Sequence, residues 1–182
     1  MDKKLGVWCN RYLSLGGRLT LAKSVLEGLP VYWMSLFKLP QAILEGLRKR
    51  IMSFIWSGGS NSHKLHLANW ESICKPNKLG GWGLRNLSIF NRALRLKCLW
   101  RGLIVGNIWR RALYVKYLMG MSVVDWLRIP YRCARNSSII WKGLIELLPC
   151  LITELVWKVG SGSTVRAGID NYVVSGSNCI FE

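Results

Sequence analysis

The residues able to do chemistry in this chain are few and scattered. Two-metal phosphoryl or nucleotidyl transfer needs carboxylates clustered on a rigid element. The three aspartates, Asp2, Asp125 and Asp170, lie far apart, and none is adjacent to another. No Walker loop, no GxGxxG opening a helix and no GxSxG nucleophile elbow occurs; Gly80-Gly-Trp-Gly83 lacks the Lys-Ser/Thr that follows a phosphate loop, and Gly160-Ser-Gly162 lacks the elbow spacing. His63 and His66 could share a helical face, but no further metal ligands lie near them in the sequence. The six cysteines, at positions 9, 74, 98, 133, 150 and 179, form no CxxC pair. They read as reduced intracellular thiols and small core residues rather than zinc ligands. No catalytic residue, cofactor or metal is expected.

The charge points elsewhere. Across 182 residues, 26 Lys and Arg face 9 Asp and Glu, a net charge of +17. Residues 1–60 carry +6, residues 61–120 carry +10 and residues 121–182 only +1. Basic clusters occur at Arg48-Lys49-Arg50, at Lys75, Lys78 and Arg85, along Arg92, Arg95, Lys97 and Arg101, and at Arg110-Arg111, while residues 72–124 contain no acid. A solvated face normally mixes signs; an unrelieved basic band is self-repelling and suits a polyanion. Phosphate contacts of this kind confer affinity with little base readout. Ten tryptophans recur along the chain. Most fall in apolar stripes and read as core, but Trp82, inside the basic glycine turn, is the candidate for stacking on an unpaired base.

The elements that must carry these groups are mainly helical. Leu19–Leu29 has an apolar stripe (Leu21, Ala22, Val25, Leu26, Leu29) ended by Pro30, and Val31–Phe37 is apolar enough for burial all round. A helix over 41–56 follows Pro40, with Leu44, Leu47, Ile51, Phe54 and Ile55 inward and Glu45 set to pair with Lys49. After the Ser57–Ser62 loop come a short helix before Pro76, the glycine turn 77–83, and helices over 86–104, 107–118 and 138–148, the last ended by Pro149. Alternation around Gly160–Ser163 predicts a β-hairpin within 155–169. The expected fold is mainly α: a thumb-like helical bundle (1–58), a basic helical connector (59–120) and a smaller α plus β-hairpin unit (121–182). No uncharged run reaches the roughly 20 residues of a membrane span, and Met-Asp-Lys-Lys leads into no signal-like segment.

Several stretches resemble a known family. They are LSLGGRLTLAKSVLEGLPVYWMSLFKLP (13–40), FIWSGG (54–59), HKLHLANWESICKP (63–76), NKLGGWGLRNLSIFNRALRLKCLWR (77–101), IWRRALYVKY (108–117) and VWKVGSGSTVRAGIDNYV (156–173). Their order and spacing resemble the region downstream of the polymerase palm in plant LINE-type (non-LTR) retrotransposon reverse transcriptases. The family's tryptophans flanking the aspartate of the last segment are replaced here by Gly168 and Tyr172. The resemblance implies a thumb and connection region, truncated at both ends, with the catalytic carboxylates upstream and a zinc-binding segment downstream. It implies no catalytic position in this chain. It implies phosphate contacts to RNA or an RNA–DNA duplex, held by shape rather than base readout. Arg18 and Lys23 are the first candidates, joined from the basic clusters by Arg48, Lys49, Lys78, Arg85, Arg92, Arg95, Lys97 and Arg101, with Trp82 placed to stack on a base. It also implies an exposed palm-facing apolar side, open to self-association. The rival expectations are an inert fragment and a protein-interaction module that docks on an intact polymerase.

Overall fold

The computed structural model describes residues 13–57, 66–104, 108–118, 120–129, 137–158, 166 and 172–173. Helix α1 (Leu15–Leu21) starts four residues before the expected Leu19, because Ser14 caps it: its Oγ accepts from the Gly17 N–H at 3.2 Å. It runs on as a π-turn, Ala22–Leu26, burying Ala22 and Leu26. Pro30 separates it from α2 (Val31–Leu36). Burial of α2 on all sides is not observed. Met34 is buried, while Tyr32 is 66% and Trp33 58% exposed. This helix packs through one side only, and the buried Asn91 amide donates to the carbonyls of Met34 (2.7 Å) and Phe37 (2.9 Å) at its C-terminal end.

Helix α3 (Gln41–Ser57) follows the expected stripe, with Leu44, Ile51, Phe54 and Ile55 buried. Its Glu45 pairs with Arg48 at 2.7 Å rather than with Lys49; i,i+3 and i,i+4 partners are both in reach on a helix, and Arg48 wins. Helix α4 (Trp70–Cys74) is capped by Asn69. Helix α5 (Leu87–Ile104), the longest, is opened by Asn86, whose Oδ1 accepts from the N–H groups of Ser88 and Ile89. Helix α6 (Ile108–Leu113) passes into a π-turn at Tyr114–Leu118. Helix α7 (Val123–Arg128), capped by Ser122, is too short to show as a hydrophobic period.

Two corrections fall near the C-terminus. The single helix expected over 138–148 is two, α8 (Ile139–Ile145) and α9 (Leu148–Glu154). Pro149 opens the second rather than ending the first, a position where its missing N–H costs nothing. The expected β-hairpin is not seen either. Strand β1 (Trp157–Lys158) pairs with β2 (Tyr172–Val173) in parallel, and a parallel pair requires a crossover, not a tight turn. The Gly160–Ser163 turn itself lies outside the described residues.

Buried side chains form two clusters. One gathers α1, α2, α3 and α4 around Leu26, Met34, Ile51, Ile55, Trp70 and Ile73, and reaches Leu84 and Leu87. The other gathers the end of α5 with α6, α8 and the start of α9 around Leu99, Leu113, Trp141, Leu144 and Leu148. Helix α5 spans both and carries the residues that join them. No described helix is long and apolar enough to cross a membrane.

Candidate nucleic-acid interface

The first helix and its π-turn hold three charged residues with different tasks. Arg18 is half-buried and donates through Nε to the Leu13 carbonyl (3.1 Å) and through Nη1 to the carbonyls of Ile55 (3.1 Å) and Trp56 (3.5 Å). It thereby satisfies carbonyls at the C-terminal end of α3. Its guanidinium is engaged in the fold rather than presented to a ligand. Lys23 reaches the glycine turn, its Nζ 3.7 Å from where a side chain on Gly83 would begin. Glu27, 2% exposed, was not anticipated from the sequence. Its Oε1 accepts from the Arg85 N–H at 2.7 Å, and Oε2 lies 3.8 Å from the Arg85 guanidinium. Burial raises the Glu27 carboxyl above its usual range, partly offset by the Arg85 N–H, the Arg85 charge and Lys23. The helical period sets Glu27 with Lys23 on the face opposite the apolar stripe, and that expected exposure is corrected: the basic turn packs over this face and buries it.

The turn that Glu27 secures is built by glycine. Gly80 (φ 76°) and Gly83 (φ 68°) occupy the left-handed region. At Gly81 a Cβ would lie 2.0 Å from the Lys75 carbonyl oxygen, so no side chain fits. The N–H groups of Trp82 and Leu84 both return to the Ile73 carbonyl, and that of Gly83 to Lys75. Lys75 and Lys78 project into solvent from this turn. Trp82 is half-buried and packs on Trp56, ring centroids 5.5 Å apart. Part of its surface is therefore committed to the first cluster. Arg85 is exposed, and its guanidinium lies 4.6 Å from the Phe90 ring centroid.

Along α5 the basic residues do not form one stripe. Leu87, Asn91, Arg95 and Leu99 recur every four residues and face inward. Arg95 is 3% exposed and donates through Nη1 to the Gly143 carbonyl at 2.7 Å, bridging the two clusters. It falls on the helix's buried face rather than projecting into bulk solvent. Burial lowers its pKa from the usual value, Glu146 opposing and Arg92 adding to the effect. Arg92 and Lys97 are both exposed, but their five-residue separation turns them about 140° apart on the helix. Lys97 and Arg101 flank an apolar groove of about 450 Å³ that includes Leu36, Leu94 and Trp109. Arg48 and Lys49 border a second hollow of about 450 Å³ with Met52, His66 and Trp70.

Among the described residues no group of three His, Cys, Asp or Glu side chains is placed to hold a metal ion. His66 is exposed beside Lys49, and His63 lies outside the described residues. Burial, reinforced by Glu27, pushes the Cys74 thiol up to about 11, so it is an inert packing residue rather than a nucleophile.

Comparison with known proteins adds a frame. Over 177 residues, 95% of this chain, it is 36% identical to an Arabidopsis thaliana protein named "Putative ribonuclease H protein", of which it spans only 28%. Over 148 residues, 80% of the chain, it is 27% identical to an uncharacterized mitochondrial protein of the same plant, covering 93% of that protein. No protein-family model and no solved structure matches.

Proposed function

We propose that this chain is a non-catalytic segment of a plant non-LTR retrotransposon reverse transcriptase, and that it holds RNA or an RNA–DNA duplex by phosphate contacts without reading sequence. The observation that carries the reading is the acid-free basic surface between residues 72 and 124. Ten Lys and Arg occur there, with Lys75, Lys78, Arg85, Arg92, Lys97, Arg101, Arg110 and Arg111 all exposed on the glycine turn, α5 and α6. Spread over several faces, they suit contacts to phosphates on more than one side of the helices rather than along a single stripe. The order of sequence segments resembling the retrotransposon enzymes supports it. So does a relative named for ribonuclease H that matches nearly the whole chain.

The test is binding of a short RNA–DNA hybrid over a salt series, with circular dichroism to follow folding. The reading expects log K to fall linearly with log salt, by roughly 0.7–0.9 per phosphate contact. The double charge reversal Lys97→Glu with Arg101→Glu should weaken binding and flatten that slope while leaving helicity intact. Salt-independent binding, or none by a folded chain, would overturn it. Template-dependent extension with primer, nucleotides and Mg²⁺ would overturn the non-catalytic part.

A further inference from the structure

The two apolar clusters meet across a cleft of about 650 Å³. The side chains that matter there are Lys38, Gln41, Ser88, Arg92, Arg95 and Glu146. Three are cations and one is an acid. Glu146 is engaged by Lys38 in an ion pair across the cleft mouth. That leaves the charges of Arg92 and Arg95 without an acid in salt-bridge reach among the described residues.

Arg95 is the unusual member. Of its five N–H donors, Nη1 meets the Gly143 carbonyl, Nε is buried with no partner, and Nη2 makes no hydrogen bond to the described residues. A buried guanidinium N–H left without an acceptor is costly unless an anion in the cleft completes its surroundings. The first turn of α3 opens into the same cleft through Gln41 and Leu44, and no acid occupies that turn. A 17-residue helix directs the positive end of its dipole there.

The geometry points to this cleft as a phosphate site, in which the oxyanion is received by Arg95 and Arg92 at the N-terminal end of α3, with Ser88 and Gln41 as neutral donors. The inference deepens the proposed function and rests on it only for the source of the phosphate. Two sources share this chemistry, a nucleic-acid backbone phosphate and a free phosphate compound, and the experiment separates them.

Pyrophosphate is titrated calorimetrically into the full chain and into Arg92→Ala, Arg95→Lys and the control Lys142→Ala, an exposed change outside the cleft lining. Arg92 is solvent-facing, so its removal tests the site even if the buried Arg95 substitution fails to fold. The expected result is saturable binding, weakened about tenfold or more in Arg92→Ala and unchanged in Lys142→Ala. RNA–DNA hybrid binding is then measured with and without pyrophosphate. Competition assigns the site to a backbone phosphate. Pyrophosphate binding without competition, or in a chain that binds no hybrid, keeps the site and assigns it to a free phosphate compound. No pyrophosphate binding, or binding equal in wild type and Arg92→Ala, overturns the site even where hybrid binding persists.

Discussion

Glu27 illustrates how one side chain can be read by titration. It sits 2% exposed, accepting the Arg85 N–H. Glu27→Gln keeps the acceptor and is expected to cost less than about 1 kcal/mol, whereas Glu27→Ala orphans a backbone donor and should cost roughly 1–3 kcal/mol in urea unfolding. Because burial raises the folded-state pKa above the usual 4.5, the folded form holds this proton more tightly than the unfolded form. The corresponding stabilisation is fully present below that value and is lost as pH rises through the raised pKa. Wild type minus Glu27→Gln should therefore show stability falling with rising pH from the mid-4s upward; a flat difference would remove Glu27 as the source. Thiol labelling read residue by residue offers a second check. Exposed Cys150 should react well before Cys74, whose thiol is half-buried and pushed up to about 11.

At the scale of elements, glycine positions separate three physical causes. Gly46→Ala, in the middle of α3 with open space around its Cβ, should stabilise by about 0.5–1 kcal/mol through helix propensity. Gly80→Ala must hold φ near 76° and should destabilise by roughly 1–2 kcal/mol. Gly81→Ala meets backbone at 2.0 Å and should fall at or beyond the upper end of the usual range of about 0.5–3 kcal/mol, because it would force the turn open and pull Arg85 away from Glu27. Thermal melts of the three variants, in that order of stability, check the assignment; a tolerated Gly81→Ala would mean the turn is arranged otherwise. The α2 helix poses the opposite problem. Its Tyr32 and Trp33, edge to face at 5.6 Å, lie in water, where an apolar face is a liability. If this is the expected palm-facing side, sedimentation should show concentration-dependent self-association that Trp33→Arg reduces.

For the molecule as a whole, the two clusters are joined by α5, the Arg95–Gly143 hydrogen bond and the Lys38–Glu146 pair. The ion pair is half-exposed on both sides and contributes little by itself. Coherence between the clusters therefore rests largely on α5 and Arg95. Arg95→Met should lower cooperativity, splitting one melt into two, whereas an unchanged single transition would place the junction elsewhere. An anion in the cleft would bind both sides of the junction at once. Pyrophosphate should accordingly raise the melting temperature of wild type.

Local pattern carried much of this protein in plain view. The stripe of α3, the existence of the helix over 86–104, the break at Pro30, the glycine turn and the concentration of charge in residues 61–120 all follow from near-neighbour sterics, hydrophobic period and composition. Long-range partners did not. Asn91 and Arg95 read as polar residues on a helix and Arg18 as a residue ahead of one, yet each satisfies carbonyls on a segment 37 to 57 residues away. Which basic residue meets solvent and which is drawn inward depends on where the second element lands. A step of about 100° per residue around a helix separates an exposed side chain from a buried one. The same reason hid the parallel β1–β2 pairing and the exposure of α2. A sequence period shows that a face is apolar, but packing decides whether anything covers it.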